Sequence, residues 1–165
     1  MRAYEELVEQ HQATAFRVAW MITRSRPDAE EATQDGFLKA YRALGRFHEG
    51  APFRPWLLRI VANEARNRKV AAQRREQLAM RTIEGRAPAS AAPADAEAIA
   101  NSERAELIAA ISRLEERDQL VIGARFFLEL SEAETAAALG VRRGTVKSRL
   151  SRALARLRKE VEPNG

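Results

Sequence analysis

The run from Ser131 to Arg158, SEAETAAALGVRRGTVKSRLSRALARLR, constrains this chain more than any other segment. Ser131 precedes a short helical pattern, and Glu134 three residues later can reach back to it, the pairing of a capping box. Ala136, Ala137, Ala138 and Leu139 give a small-residue face that allows close helix packing. Gly140 follows where a helix commonly ends in a left-handed residue. In the next helix Val146, Leu150, Ala153, Leu154 and Leu157 recur at spacings of three and four, which predicts one buried stripe. Thr145, Ser148, Arg149, Arg152 and Arg156 fall on another face. Arg142, Arg143, Lys147, Arg149, Arg152, Arg156 and Arg158 occur with no acid among them. Charge, turn and capping box together predict a helix-turn-helix whose second helix enters a DNA major groove. Arginine is the usual bidentate partner of guanine, and Ser or Thr bonds several base edges or phosphates.

The rest of the chain reads as helix as well. Residues 3–24 place Tyr4, Leu7, Val8, His11, Ala15, Val18 and Ile22 on one stripe. Pro27-Asp28 breaks it and opens a second helix, with Asp28 at the N-cap and Glu31 at the capping-box position. Phe37, Leu38, Tyr41 and Leu44 are its expected buried face. Residues 45–52 read as a loop. A third helix runs from Phe53 to about Arg75, with Pro55 in its first turn and Trp56, Leu57, Ile60 and Val61 inward. Residues 77–100, rich in Ala and Pro, read as a linker. Asn101 or Ser102 caps a fourth helix with Leu107, Ile108 and Ile111 as its stripe. Glu115 to about Leu128 is a fifth, with Leu120, Val121, Ala124 and Phe127 inward. The expected fold is all-α: two small helical domains, 1–76 with three helices and 101–165 with four, joined by a flexible linker over 77–100.

The third helix is basic too. Arg54, Arg59, Arg66, Arg68, Lys69, Arg74 and Arg75 are offset by one acid, Glu64, and Phe47, Phe53 and Trp56 lie beside the charge. Cations beside aromatic rings suit single-stranded nucleic acid, whose bases stack while its backbone is held. A core role for Trp56 is the competing reading. The helix before it crowds Asp28, Glu30, Glu31 and Asp35 into its first two turns. Acids there favour the helix dipole, and Gln34 beside Asp35 also offers a polar face to a basic partner.

Several function classes fall away. The absence of cysteine excludes disulfides, thiolate metal sites and cysteine nucleophiles. His11 lies on an apolar face and His48 in a loop without partnered ligands. No carboxylate pair, phosphate-cradling glycine loop or nucleophile constellation stands out, so an enzyme, a cofactor and a metal site are not expected. No signal segment or membrane span is seen, which predicts a cytoplasmic protein without membrane insertion. The net charge of +5 is modest, so where the charge sits matters more than its sum.

Three runs in this order carry a resemblance: DAEEATQDGFLKAYRALGRF (Asp28–Phe47), FRPWLLRIVANEARN (Phe53–Asn67) and GVRRGTVKSRLSRA (Gly140–Ala153). Together they resemble an extracytoplasmic-function sigma factor of bacterial RNA polymerase, over nearly the whole chain except the linker. The resemblance implies a region-two-like domain over 1–76 and a region-four-like domain over 101–165. It implies that Glu31, Gln34 and Asp35 contact core polymerase. It assigns Arg54, Trp56, Arg59, Asn63 and Arg66 to the minus-ten element. It assigns Arg143, Thr145, Lys147, Ser148, Arg149 and Arg152 to the minus-thirty-five duplex. Core RNA polymerase, promoter DNA and an anti-sigma protein are the implied partners of a chain monomeric when free. The alternative is a stand-alone helix-turn-helix regulator. It would need a dimer interface, and no heptad seam or spare apolar face is evident.

Overall fold

A computed structural model describes residues 2–82 and 100–162, and every regular element among these is helical. The first unit consists of α1 (Arg2–Thr23), α2 (Arg26–Ala43), a short 3-10 turn (Leu44–Arg46) and α3 (Phe53–Thr82). Ala15, Val18 and Ile22 of α1, Ala29, Ala32, Phe37 and Ala40 of α2, and Leu57, Leu58, Val61 and Ala65 of α3 share one core.

Two expectations about α2 are corrected. Its N-cap is Ser25, whose hydroxyl accepts from the Asp28 amide at 3.4 Å; Pro27 and Asp28 lie in the first turn. Proline without its N–H fits there at no cost, and Asp28 serves the dipole rather than the cap. The buried face is only partly the bulky one: Phe37 is buried as expected, but Leu38 and Tyr41 are exposed, and Ala29, Ala32, Gly36 and Ala40 complete the inward face. Small residues let α2 lie close on α3, and Tyr41 packs edge-on against Tyr4 at 4.9 Å between ring centroids.

Helix α3 continues to Thr82, past the end expected near Arg75, because Glu76, Gln77, Leu78, Ala79, Met80 and Arg81 all favour helix. The linker reading therefore holds no residue before 83, and residues 83–99 lie outside the described part.

The second unit comprises α4 (Ala100–Ser112), α5 (Glu116–Ile122) with a π turn (Gly123–Phe127), α6 (Glu132–Leu139) and α7 (Arg143–Val161). Helix α4 is already formed at Ala100, so Asn101 and Ser102 lie inside it rather than at its cap. Its inward positions are Ala110 and Ile111, with Leu114 buried in the turn that follows, while Leu107 and Ile108 are exposed. In the π turn the extra residue per turn rotates the register, which leaves Phe126 and Phe127 outside and Ala124 inside. Leu114, Val121, Ile122, Ala136, Val146 and Ala153 form a second core, with Leu150, Leu154 and Leu157 against it. The stripe expected for α7 is the one observed.

The two units are not separate. Ala124, Leu130 and Ala138 of the second are buried in the apolar cluster of the first, and Leu139 packs against both cores. Helix α6 lies along α3 as a result.

Candidate nucleic-acid interface

The helix-turn-helix is built by local signals. The Glu134 amide donates to Ser131 Oγ at 3.1 Å, and the Ser131 amide donates to Glu134 Oε2 at 2.9 Å, which completes the capping box. Gly140 has φ +67°, a left-handed conformation that turns the chain between α6 and α7. Val146 and Ala153 then anchor α7 in the second core. That fixes which side of α7 meets water: Arg143, Lys147, Ser148 and Arg152 are exposed, and Thr145 and Arg149 are half-buried. Within this face Ser148 Oγ donates to the Thr145 carbonyl at 3.1 Å, and Arg152 Nε lies 3.3 Å from the Ser148 carbonyl.

Arg156 takes a partner with no local sequence signal. Its Nη1 donates to Asp118 Oδ2 at 2.6 Å, and Asp118, on α5, is 1% exposed. Arg117, Asp118, Arg149, Arg152 and Arg156 surround one small cleft beside the exposed face of α7. Asp118 thus ties the scaffold helix to the basic helix and pins one guanidinium at the edge of the cluster.

On α3 the five residues expected to meet the minus-ten strand have different surroundings. Arg59 and Asn63 are exposed. Trp56 is half-buried in an aromatic cluster, 4.9 Å from Phe47 and 5.5 Å from Phe53 between centroids. The loop aromatics therefore gather beside the first turn of the basic helix. Arg66 Nη2 donates to Asn63 Oδ1 at 2.7 Å, and burial lowers the Arg66 pKa from its usual value. Arg54 and Arg66 both face the second unit. Arg54 Nε lies 3.1 Å from Glu134 Oε1, and Arg66 Nη1 donates to the Ala138 carbonyl at 2.6 Å. Arg66, Lys69 and Arg149 border one cleft between the units, so the two basic faces adjoin.

The acidic patch on α2 is organised from α3. Arg68 Nη2 donates to Asp35 Oδ2 at 2.5 Å, and Nη1 pairs with Glu31. The hydrogen bond that Arg68 donates to Asp35, opposed by burial, helps raise the Arg68 pKa. Gln34 is exposed beside them. Sequence reasoning placed Glu31, Gln34 and Asp35 together but missed that Arg68 positions two of them.

A third feature spans the units. Phe16, Trp20 and Met21 of α1 face Ile108 and Ile111 of α4 and Phe127 and Leu128 across an open apolar groove of about 550 Å³. Arg17, Arg24 and Arg26 line its edge. Among the described residues no group of His, Asp and Glu is arranged to hold a metal ion. No helix among them is long and apolar enough to cross a membrane.

Known proteins share this arrangement. The family model Sigma-70 region 2 matches residues 7–75, and Sigma-70, region 4 matches residues 104–157. The chain is 34% identical over 155 residues to the ECF RNA polymerase sigma factor SigM of Mycobacterium tuberculosis, covering 94% of this chain and 75% of that one. It is 32% identical over 157 residues to the RNA polymerase sigma factor NccH of Alcaligenes xylosoxydans xylosoxydans, covering 94% and 84%. Among solved structures, CnrH in complex with the cytosolic domain of CnrY superposes with a TM-score of 0.63 at 26% identity, over 99% of this chain and 90% of that one. The sigma factor RpoE of Bartonella quintana, solved with the anti-sigma factor NepR, shares the fold with a TM-score of 0.68 at 22% identity over the full length of both chains. Two matched regions in the order and spacing of the two helical units, and relatives aligned across nearly the whole chain, lead to one conclusion: this chain belongs to the extracytoplasmic-function (ECF) sigma factors of RNA polymerase.

Proposed function

We propose that this sigma factor binds core RNA polymerase and directs it to promoters through two contacts, one on each helical unit. The observation that carries this reading is the exposed basic face of α7, set by the buried stripe of Val146 and Ala153 behind it. On it Arg143, Thr145, Lys147, Ser148, Arg149 and Arg152 read the minus-thirty-five duplex, as base-edge and phosphate donors. The α3 face reads the minus-ten strand: Arg59, Asn63, Arg54 and Arg66 hold its backbone and edges, and the Phe47–Phe53–Trp56 cluster offers a stacking surface. The α1–α3 unit is the region-two domain and the α4–α7 unit the region-four domain, connected by the residues between Thr82 and Ala100. Glu31, Gln34 and Asp35, the first and last oriented by Arg68, form the polymerase contact.

The polymerase supplies the chemistry, and this chain supplies recognition in the cytoplasm. A stand-alone regulator is not favoured, since it leaves the region-two match without a role. An anti-sigma protein is the further partner. The groove between α1 and α4 suits an apolar helix flanked by acids, because three arginines line its edge and no carboxylate among the described residues does.

Transcription reconstituted with core polymerase tests the reading. The full chain should direct start sites that core enzyme alone does not use. Gln34→Ala combined with Asp35→Asn should weaken holoenzyme assembly on size exclusion without changing the helical signal. Normal assembly by that variant would remove the polymerase contact from α2.

A further inference from the structure

Basic residues from both units converge on the cleft that Arg66, Lys69 and Arg149 border. Arg117 of α5 is the fourth cation of its lining, and the only carboxylate among the described lining residues is Glu116. Lys69 pairs with Glu116, and Arg117 with Glu115. Arg149 is half-buried, and its guanidinium has no ion pair or hydrogen bond with another described residue. Burial lowers the Lys69 pKa, and the charge of Arg24 lowers it further. Like charges gathered in a partly desolvated space repel one another, and an anion among them relieves the repulsion. Most of the remaining lining is apolar: α1, α3, α5 and α6 contribute Ile22, Val70, Leu120 and Leu139.

We propose that this cleft is a binding site for a nucleoside diphosphate: Arg66, Lys69, Arg117 and Arg149 receive the phosphates, and the apolar side chains take the nucleoside. The cleft holds about 350 Å³. Small-ligand pockets span roughly 300–1,000 Å³, and the lower end of that range suits one nucleotide rather than a strand. Guanidinium groups take phosphate oxygens in paired N–H···O contacts, and a lysine adds a point charge. A diphosphate also carries enough anionic oxygens to engage Arg149, which the Glu116 carboxylate leaves without a partner. Phosphate alone would use the cations and leave the apolar side chains wet, so the nucleoside is what the rest of the lining adds. Arg66 and Arg149 are promoter ligands in the reading above, so a bound nucleotide competes with promoter DNA for them. Lys69 and Arg117 belong to the cleft alone.

Calorimetric titration of the full chain with ADP, at constant salt and without divalent cations, tests the site. One ADP should bind per chain. Glu116→Gln removes the carboxylate that competes for Lys69 and should tighten binding about threefold. Val70→Asp puts a carboxylate into the lining and should weaken binding about tenfold. Both positions are exposed, so neither variant should change the helical signal. Inorganic pyrophosphate should bind about tenfold more weakly than ADP, because it leaves the apolar contacts unmade. Arg142→Ala with Arg158→Ala removes two exposed cations outside the lining and should leave ADP binding as it is. Absence of ADP binding would overturn the proposal, and so would binding that ignores Glu116→Gln and Val70→Asp. A loss in the Arg142 and Arg158 variant as large as that from Val70→Asp would mean general attraction to a basic surface and would overturn it as well. Pyrophosphate binding as tight as that of ADP would remove the nucleoside and leave a phosphate site only, against the proposal.

Discussion

Gly36 of α2 lies so close to Val61 of α3 that an added Cβ would stand 2.6 Å from Val61 Cγ2 and 3.0 Å from its Cα. The side chain of Val61 can rotate; its Cα cannot. Alanine at 36 would gain up to about 1 kcal/mol of helix propensity. Forcing the helices apart costs about 1–3 kcal/mol. The clash should win, because one of the two contacts is backbone. Gly36→Ala should therefore lower the urea midpoint. A raised midpoint would mean that α2 and α3 pack more loosely than this contact requires.

The Asp118–Arg156 pair predicts an unequal response. Asp118 is buried, while Arg156 is nearly half exposed. Arg156→Ala removes the partner of a buried carboxylate, which costs about 2–4 kcal/mol; the shortened side chain also lets in some water and keeps the loss below that of a fully enclosed pair. Asp118→Asn leaves Arg156 free to turn to solvent and keeps a polar group of the same shape, so it should cost less. Chemical denaturation of both variants checks the order, and equal losses would mean that the pair behaves as an ordinary surface bridge.

What could be read in advance depended on range. The capping box of Ser131 and Glu134, the left-handed Gly140 and the stripe of α7 are set within four residues, and each was legible. The α2 cap was not: Pro27-Asp28 pointed to Asp28, whereas Pro27 sits within the first turn and the cap falls to Ser25. Leu38, Tyr41, Ile108 and Phe127 were expected inside because periodicity favours bulk, whereas close packing on α3 called for Ala29, Ala32 and Gly36. The π turn that displaces Phe127 has no local signature. Arg66 on the Ala138 carbonyl and Arg156 on Asp118 join residues far apart in the chain, and nothing in their neighbourhoods announces the pairing.

The face of α7 separates base contacts from phosphate contacts. If Arg149 and Arg152 reach base edges, Arg149→Ala or Arg152→Ala should weaken binding to the cognate promoter duplex by about 1–3 kcal/mol and relax its sequence preference. Lys147→Ala should weaken cognate and unrelated duplexes alike, and reduce the slope of log affinity against log salt by about 1. Holoenzyme titrations at several salt concentrations, with cognate and shuffled duplexes, distinguish the two. A uniform loss from Arg149→Ala would move that residue to the phosphate class.

His11 gives a pH dependence whose sign is set by its surroundings. Its ring lies 5.5 Å from that of Phe53, between centroids. Burial lowers its pKa from the usual 6.5, Arg54 lowers it further, and Glu134 opposes both. Between the folded and unfolded values the unfolded chain binds more protons, so stability rises with pH there. This contribution is full above about 6.5 and is lost as pH falls through the lowered folded value. Acidification from about pH 7.5 to pH 5 should therefore reduce the urea midpoint more in the parent chain than in His11→Gln, which has nothing to protonate. Carboxylates that titrate lower affect both chains and cancel in the difference. Arg54→Ala supplies the spatial check: it removes a lowering influence and leaves Glu134 in place, so the His11 imidazole should titrate at higher pH by nuclear magnetic resonance. An unchanged titration would show that Arg54 does not rest against α6 beside His11 in solution.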